Sequence, residues 1–148
     1  IALDLAAQFN QFGLTAEYHT LEGENVAGVT FEYDGYYVDA SWSLTGEPRS
    51  YRGNTGSFGA IAPRNPVNTG GLGYWGLSAR YDYVDLSDPN GGGASRGEQS
   101  AYAVGLDWIP LDHVRMKLNY AVTEMDRTAP AALDTEAQVV SLRTQFDF

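Results

Sequence analysis

The 148-residue sequence predicts an all-β chain that forms a transmembrane antiparallel β-barrel, a single domain over residues 1–148. Three observations carry that prediction. Apolar and polar residues alternate with period two through most of the chain, and aromatic residues stand near segment ends on the apolar side. Full charges sit in mid-segment on the polar side. A strand sends successive side chains to opposite faces, so this pattern gives one oily face and one wet face. A soluble sheet also alternates, but a packed core rarely buries charges such as Arg80, Arg115, Lys117 and Arg143. A water-filled interior holds them readily.

The elements follow in order. Residues 1–9 set Ile1, Leu3, Leu5, Ala7 and Phe9 against Asp4 and Gln8. A tight turn at Asn10–Gly13 leads into 13–21, where Leu14, Ala16 and Tyr18 oppose Thr15, Glu17 and His19. Residues 27–33 and 36–45 come next. Asp34-Gly35 between them reads either as a two-residue hairpin turn or as the interior of one long strand, so the count is about seven strands or about eight. In 36–44, Tyr36, Val38, Ala40, Trp42 and Leu44 oppose Asp39, Ser41 and Ser43. Residues 46–72 carry Gly, Pro, Asn and Arg without a period, and strand parity places them on the side of the tight turns, where short connections are the rule.

Beyond that stretch, Trp75, Leu77, Ala79, Tyr81 and Tyr83 oppose Ser78, Arg80 and Asp82. A Gly-rich loop over 86–97 precedes 100–109, where Tyr102, Val104, Leu106 and Trp108 oppose Ala101, Ala103, Gly105 and Asp107. Pro110–His113 is a tight turn. Val114, Met116, Leu118, Tyr120 and Val122 then oppose Arg115, Lys117, Asn119 and Ala121. A polar loop over 126–134 leads to 136–148, with Val140, Leu142, Phe146 and Phe148 against Ser141, Arg143, Gln145 and Asp147. Tight turns at one end and longer loops at the other fit an outer-membrane barrel with the turns toward the periplasm.

Composition excludes several classes. The chain has no cysteine, hence no disulfide framework and no thiolate metal site. Its net charge of -10 argues against nucleic acid as a partner, because phosphate backbones require a basic surface. No apolar run approaches the roughly 18–20 residues of a membrane helix. The chain begins with Ile1 rather than Met and carries no signal peptide, so it reads as processed or as a piece of something longer.

The segment Tyr36-Tyr-Val-Asp-Ala-Ser-Trp-Ser-Leu44, running into Thr45-Gly-Glu47, Arg49 and Tyr51, resembles a known family. So do Ala79-Arg-Tyr-Asp-Tyr-Val-Asp-Leu-Ser-Asp88 and the closing Leu142-Arg-Thr-Gln-Phe-Asp-Phe148. Together, over most of residues 31–148, they are similar to the C-terminal portion of the phosphate-selective porin O and P family. The resemblance implies a barrel of about sixteen strands, normally trimeric, in the bacterial outer membrane. Such a protein lets small hydrophilic solutes, including anions such as phosphate, diffuse passively. It implies lipid and lipopolysaccharide as surroundings, insertion by the barrel-assembly machinery with Phe146 and Phe148 as the C-terminal assembly signal, and no cofactor. The family's anion-binding residues lie on stretches with no match here, and none is carried over. The other reading is a small eight-stranded structural or interaction barrel without an open pore.

The candidate pore-lining residues are those on the polar face. Arg115, Lys117 and Arg143 form a positive stripe, with Arg80 as a further member. Glu17, Asp39, Asp82, Asp107 and Asp147 share that face. Three readings stand side by side: the cations guide anions along the wall, they pair with neighbouring carboxylates across strands, or the carboxylates of that face, with a net charge of -10, make the pore weakly cation-preferring or unselective. Asp82, Asp85, Asp88 and Asn90 beside Gly91-Gly-Gly93 lack the spacing of a calcium loop. His19 and His113 have no Ser or Cys partner at a catalytic spacing, and no glycine loop precedes a helix, so no enzyme is expected.

Overall fold

The computed structural model describes residues 1–54, 56–88, 90–91, 97–127 and 135–147. Seven strands form one antiparallel sheet. They are β1 (Ala2–Phe9), β2 (Phe12–Glu24), β3 (Thr30–Ser43), β6 (Tyr74–Asp85), β7 (Glu98–Leu111), β8 (Val114–Asp126) and β9 (Thr135–Phe146). Two short strands, β4 (Tyr51–Arg52) and β5 (Ser57–Phe58), form a separate hairpin between β3 and β6, followed by a 3-10 turn at Val67–Thr69. Spatial order equals chain order, β1-β2-β3-β6-β7-β8-β9, and the sheet is open, with β1 and β9 at its edges. Among the described residues no helix is long and apolar enough to cross a membrane, which has no bearing on crossing by strands.

The register carries the alternation across the whole sheet. Leu5 faces Ala16, Ala16 faces Val38, and Val38 faces Tyr81. Tyr81 faces Tyr102, Tyr102 faces Val122, and two rows along Leu106 faces Leu118 and Leu118 faces Leu142. A slip of one residue in any pair would throw an apolar set onto the polar face, so the period-two pattern itself specifies the register. The apolar face is uncovered: Leu118, Leu142 and Val140 are 45%, 68% and 71% exposed. Of the described hydrophobic residues, only Ile61, Tyr74 and Ile109 are buried. A sheet of this size with so small a core has its apolar side turned toward its surroundings rather than inward.

Asp34-Gly35 is not a turn. Gly35 pairs with His19 on one side and Val84 on the other, and Asp34 pairs with Thr20 and Asp85, so both residues lie inside β3. The sheet therefore has seven strands, and the eight-strand count falls with the hairpin it required. The turn that joins β2 to β3 lies earlier, where Asn25 Oδ1 accepts the amides of Ala27 and Val29. Asn side chains favour this local bonding. At the opposite end Asn10, with φ 50°, takes the left-handed conformation that a two-residue turn needs. Pro110 and Leu111 belong to β7 rather than to a turn, and the β7–β8 register shifts between Trp108 and Leu111. Proline cannot donate to a ladder and is at home in such an irregularity.

Candidate functional site

The polar face of the sheet and the 44–73 insertion together build the site. The insertion leaves β3 at the end of the sheet that carries the Asn10-Gln11 and Asp112-His113 turns. Instead of passing around the sheet it folds across the polar face. Ile61 packs with Tyr74 and Ile109 in the one buried hydrophobic cluster among the described residues. Tyr74 shares strand parity with Arg80, and Ile109 with Asp107, so both point to the polar side. Gly73, with φ 74°, approaches the Ile109 carbonyl so closely that an added Cβ would lie 2.5 Å from it. Its amide donates to Asn65 O at 2.9 Å and closes the base of the insertion.

Between insertion and sheet lies a cavity of about 300 Å³. Four cationic side chains line it: Arg49 from the insertion, Arg115 and Lys117 from β8, and Arg143 from β9. Asp39 and Asp107 are the acidic residues on its wall. Arg115, Lys117 and Arg143 are thus brought together as the alternation predicts, and Lys117 is the direct cross-strand partner of both Asp107 and Arg143. Arg49, which also stands 5.7 Å from the Phe58 ring centroid, was missed. It lies in an aperiodic stretch, and no pattern assigns such a residue to a face.

Pairing is real but loose. Lys117 Nζ is 3.4 Å from Asp107, and Arg115 Nε is 3.5 Å from Asp147. All four side chains are about a third to a half exposed, and ion pairs in that setting are worth little. Arg143 donates to Gln145 Oε1 at 2.8 Å, a neutral partner. Arg115 Nε is buried without a hydrogen bond. The stripe therefore keeps most of its donor capacity.

Arg80 is different. It binds Asp82 through Nε, 2.9 Å from each carboxylate oxygen, and through Nη2. Its guanidinium lies 3.8 Å from the Tyr37 ring centroid. Tyr37 in turn donates to Glu17, which meets His19 at 3.2 Å. Arg80 does not line the cavity. Of the two readings of the polar-face cations, the geometry at Arg80 is that of local pairing, within the acidic group of Glu17, Asp39 and Asp82. The polar face is consequently segregated, basic toward β8 and β9, acidic toward β2, β3 and β6.

Much of the negative charge lies off this face. Asp34, Asp85, Glu98 and Asp126 are successive cross-strand partners, and Glu124 pairs with Glu136. By parity these residues belong to the apolar side, at its rim beside the 86–97 loop. Glu98 accepts the Tyr83 hydroxyl at 2.7 Å. The net charge of -10 thus says little about the potential at the cavity. In the loop, Asp88 accepts the amides of Glu32 (3.3 Å) and Asn90 (3.1 Å), a structural fastening. No cluster that could hold a metal exists among the described residues. The 128–134 loop and Phe148 lie outside those residues; Phe146 pairs with Val114 and is exposed.

The sequence matches the family described as phosphate-selective porin O and P over residues 1–148. It is 35% identical over 136 residues to an uncharacterized protein of Caulobacter vibrioides, covering 90% of this chain and 27% of that one. It is 27% identical over 154 residues to Porin O of Pseudomonas aeruginosa, covering 99% of this chain and 34% of the relative. The chain thus spans about a quarter to a third of the length of these relatives.

Proposed function

The chain belongs to the phosphate-selective porin O and P family, a family of channels and not of enzymes, and from that premise we propose that it forms part of the wall of a bacterial outer-membrane pore. Lipid admits no unpaired strand edge, since each unsatisfied backbone group there costs several kcal/mol. The exposed edges of β1 and β9 are therefore met by further strands, in a closed barrel of about sixteen that assembles as a trimer. The apolar face contacts lipid, lipopolysaccharide and neighbouring subunits. The polar face lines the water-filled lumen. The transport is passive and uses no cofactor. Phe146 and Phe148 serve as the assembly signal.

The observation that carries this reading is the insertion. Its Arg49 and Gly59–Ile61 stretch lies over the polar face, and with the sheet it walls a cavity lined by four cations. An interior obstacle of that kind narrows a pore, and its charges choose what enters. Anions are the favoured solutes, because Arg49, Arg115, Lys117 and Arg143 outnumber Asp39 and Asp107 at the narrowing. Asp147 lies beside Arg115, while Glu17, Asp82 and Arg80 line the wider wall.

Single-channel recording of the full-length protein in planar bilayers tests the proposal. Discrete conductance steps with an anion-positive selectivity are expected. A purified, folded protein that leaves bilayers silent would refute it.

A further inference from the structure

Glu47 takes no part in the cavity wall, yet it is only 6% exposed. A buried carboxylate is costly unless it is bonded, so its bonds identify its task. Oε1 accepts the amide of Arg64 at 3.0 Å, across seventeen residues of chain. Oε2 is buried without a hydrogen-bond partner, so the Arg64 amide is the bond that holds the carboxylate. Two residues earlier, Thr45 Oγ1 accepts the Trp75 amide at 3.1 Å, at the start of β6. The two contacts fasten the exit of β3 to the entry of β6 and to the returning arm of the insertion. Gly46, with φ 88°, makes the bend that turns Glu47 inward.

Residues 47 to 64 form the arc that the Glu47–Arg64 contact closes. The enclosed stretch contains the β4–β5 hairpin, flanked by Arg49 and the Gly59–Ile61 run, and those flanks form the cavity's outer wall. Against the sheet this stretch is held by the small apolar contact of Ile61 with Tyr74 and Ile109. We propose that Glu47 is a positioning residue for the constriction: by tying the insertion's two arms together it holds the Arg49 wall against the polar face, and so sets the width of the pore. The proposal rests on the pore reading above and adds to it the residue that fixes the narrowing.

The test uses the full-length porin carrying this chain, recorded in planar bilayers as wild type, Glu47→Gln and Glu47→Ala. Glu47→Gln keeps an oxygen for the Arg64 amide, and wild-type conductance is expected. Glu47→Ala is expected to raise the time spent in wider conductance levels roughly tenfold or more, the worth of one charge-assisted hydrogen bond. It should also admit neutral poly(ethylene glycol) of sizes that the wild type excludes. If Glu47→Ala does not assemble, Arg64→Pro, which removes the amide that Oε1 accepts and leaves the carboxylate, is measured instead with the same expectation. Wild-type conductance and polymer exclusion in the assembled variant would overturn the proposal, as would a Glu47→Gln that behaves like Ala. Failure of the wild type itself to form channels would overturn the pore reading.

Discussion

Trp75 and Trp108 are direct cross-strand partners whose indoles stack with ring centroids 5.5 Å apart, and both Nε1–H groups donate to the carbonyl of Leu72. On the apolar face an indole N–H normally needs water or a headgroup. Here the end of the insertion supplies the acceptor, so the aromatic row at the turn end and the insertion are mechanically joined.

A double-mutant cycle measures that joint. Trp75→Leu and Trp108→Leu each remove a ring and a donor, and a coupling of about 0.5–1.5 kcal/mol is expected from the stacked pair alone. Urea unfolding of the protein from lipid vesicles reports it. Additive single losses would show that the rings do not act together.

The apolar face has a sharper signature. Leu142→Arg places a charge among Leu118, Val140 and their neighbours, and if that side meets lipid the cost is about 2–4 kcal/mol near the bilayer midplane. Ser141→Arg, one residue along and paired with Asn119 on the polar side, is expected to fold into vesicles almost normally. Equal effects of the two changes would contradict the assignment of faces.

Selectivity distinguishes the loosely paired cations from the tightly paired one. Arg115→Glu combined with Lys117→Glu is expected to lower anion over cation permeability, read from the reversal potential in a salt gradient. Asp107→Asn removes the partner of Lys117 and is expected to shift it the other way. Arg80→Gln, already matched by Asp82, is expected to shift it less than either. Reversal potentials indifferent to all three would remove the guiding role from the stripe.

The pH response follows from Glu47. Burial alone would raise its carboxyl, but the nearby Thr45 hydroxyl, the Arg64 amide and its own amide, with the Arg64 charge, hold it below its ordinary value of 4.5. A depressed folded-state value stabilises the closed insertion above the unfolded value, and that contribution is lost as pH falls through the folded one. Arg64 and the Tyr74 hydroxyl on β6 are the titratable groups that feel this carboxylate. Wild-type channels are therefore expected to become noisy and wider only below the usual carboxylate range. Glu47→Gln channels should show no such step. A step retained in Glu47→Gln would assign it to another group.

Most of the sheet was legible because a strand's faces are set by parity alone. Val114–Val122 and Tyr36–Leu44 each declare an apolar side without reference to anything distant, and the seven-strand register follows from matching those sides. Asp34-Gly35 was not legible, since the dipeptide suits a hairpin and is tolerated in a strand. Its pairing with Thr20 and His19 on one flank and with Asp85 and Val84 on the other decided the matter. Arg80 shows the same limit at the site: parity puts it on the face of Arg115 and Lys117, but only the positions of Asp82 and Tyr37 show that its charge is already engaged.

The sequence by itself determined two chemically opposite surfaces, because side-chain alternation is a local property of an extended backbone. Only the tertiary structure decided where residues 44–73 go, because an aperiodic segment has no face of its own. Its place is set by contacts between residues far apart in the chain, Glu47 with Arg64 and Ile61 with Ile109, and those put Arg49 beside Arg115, Lys117 and Arg143.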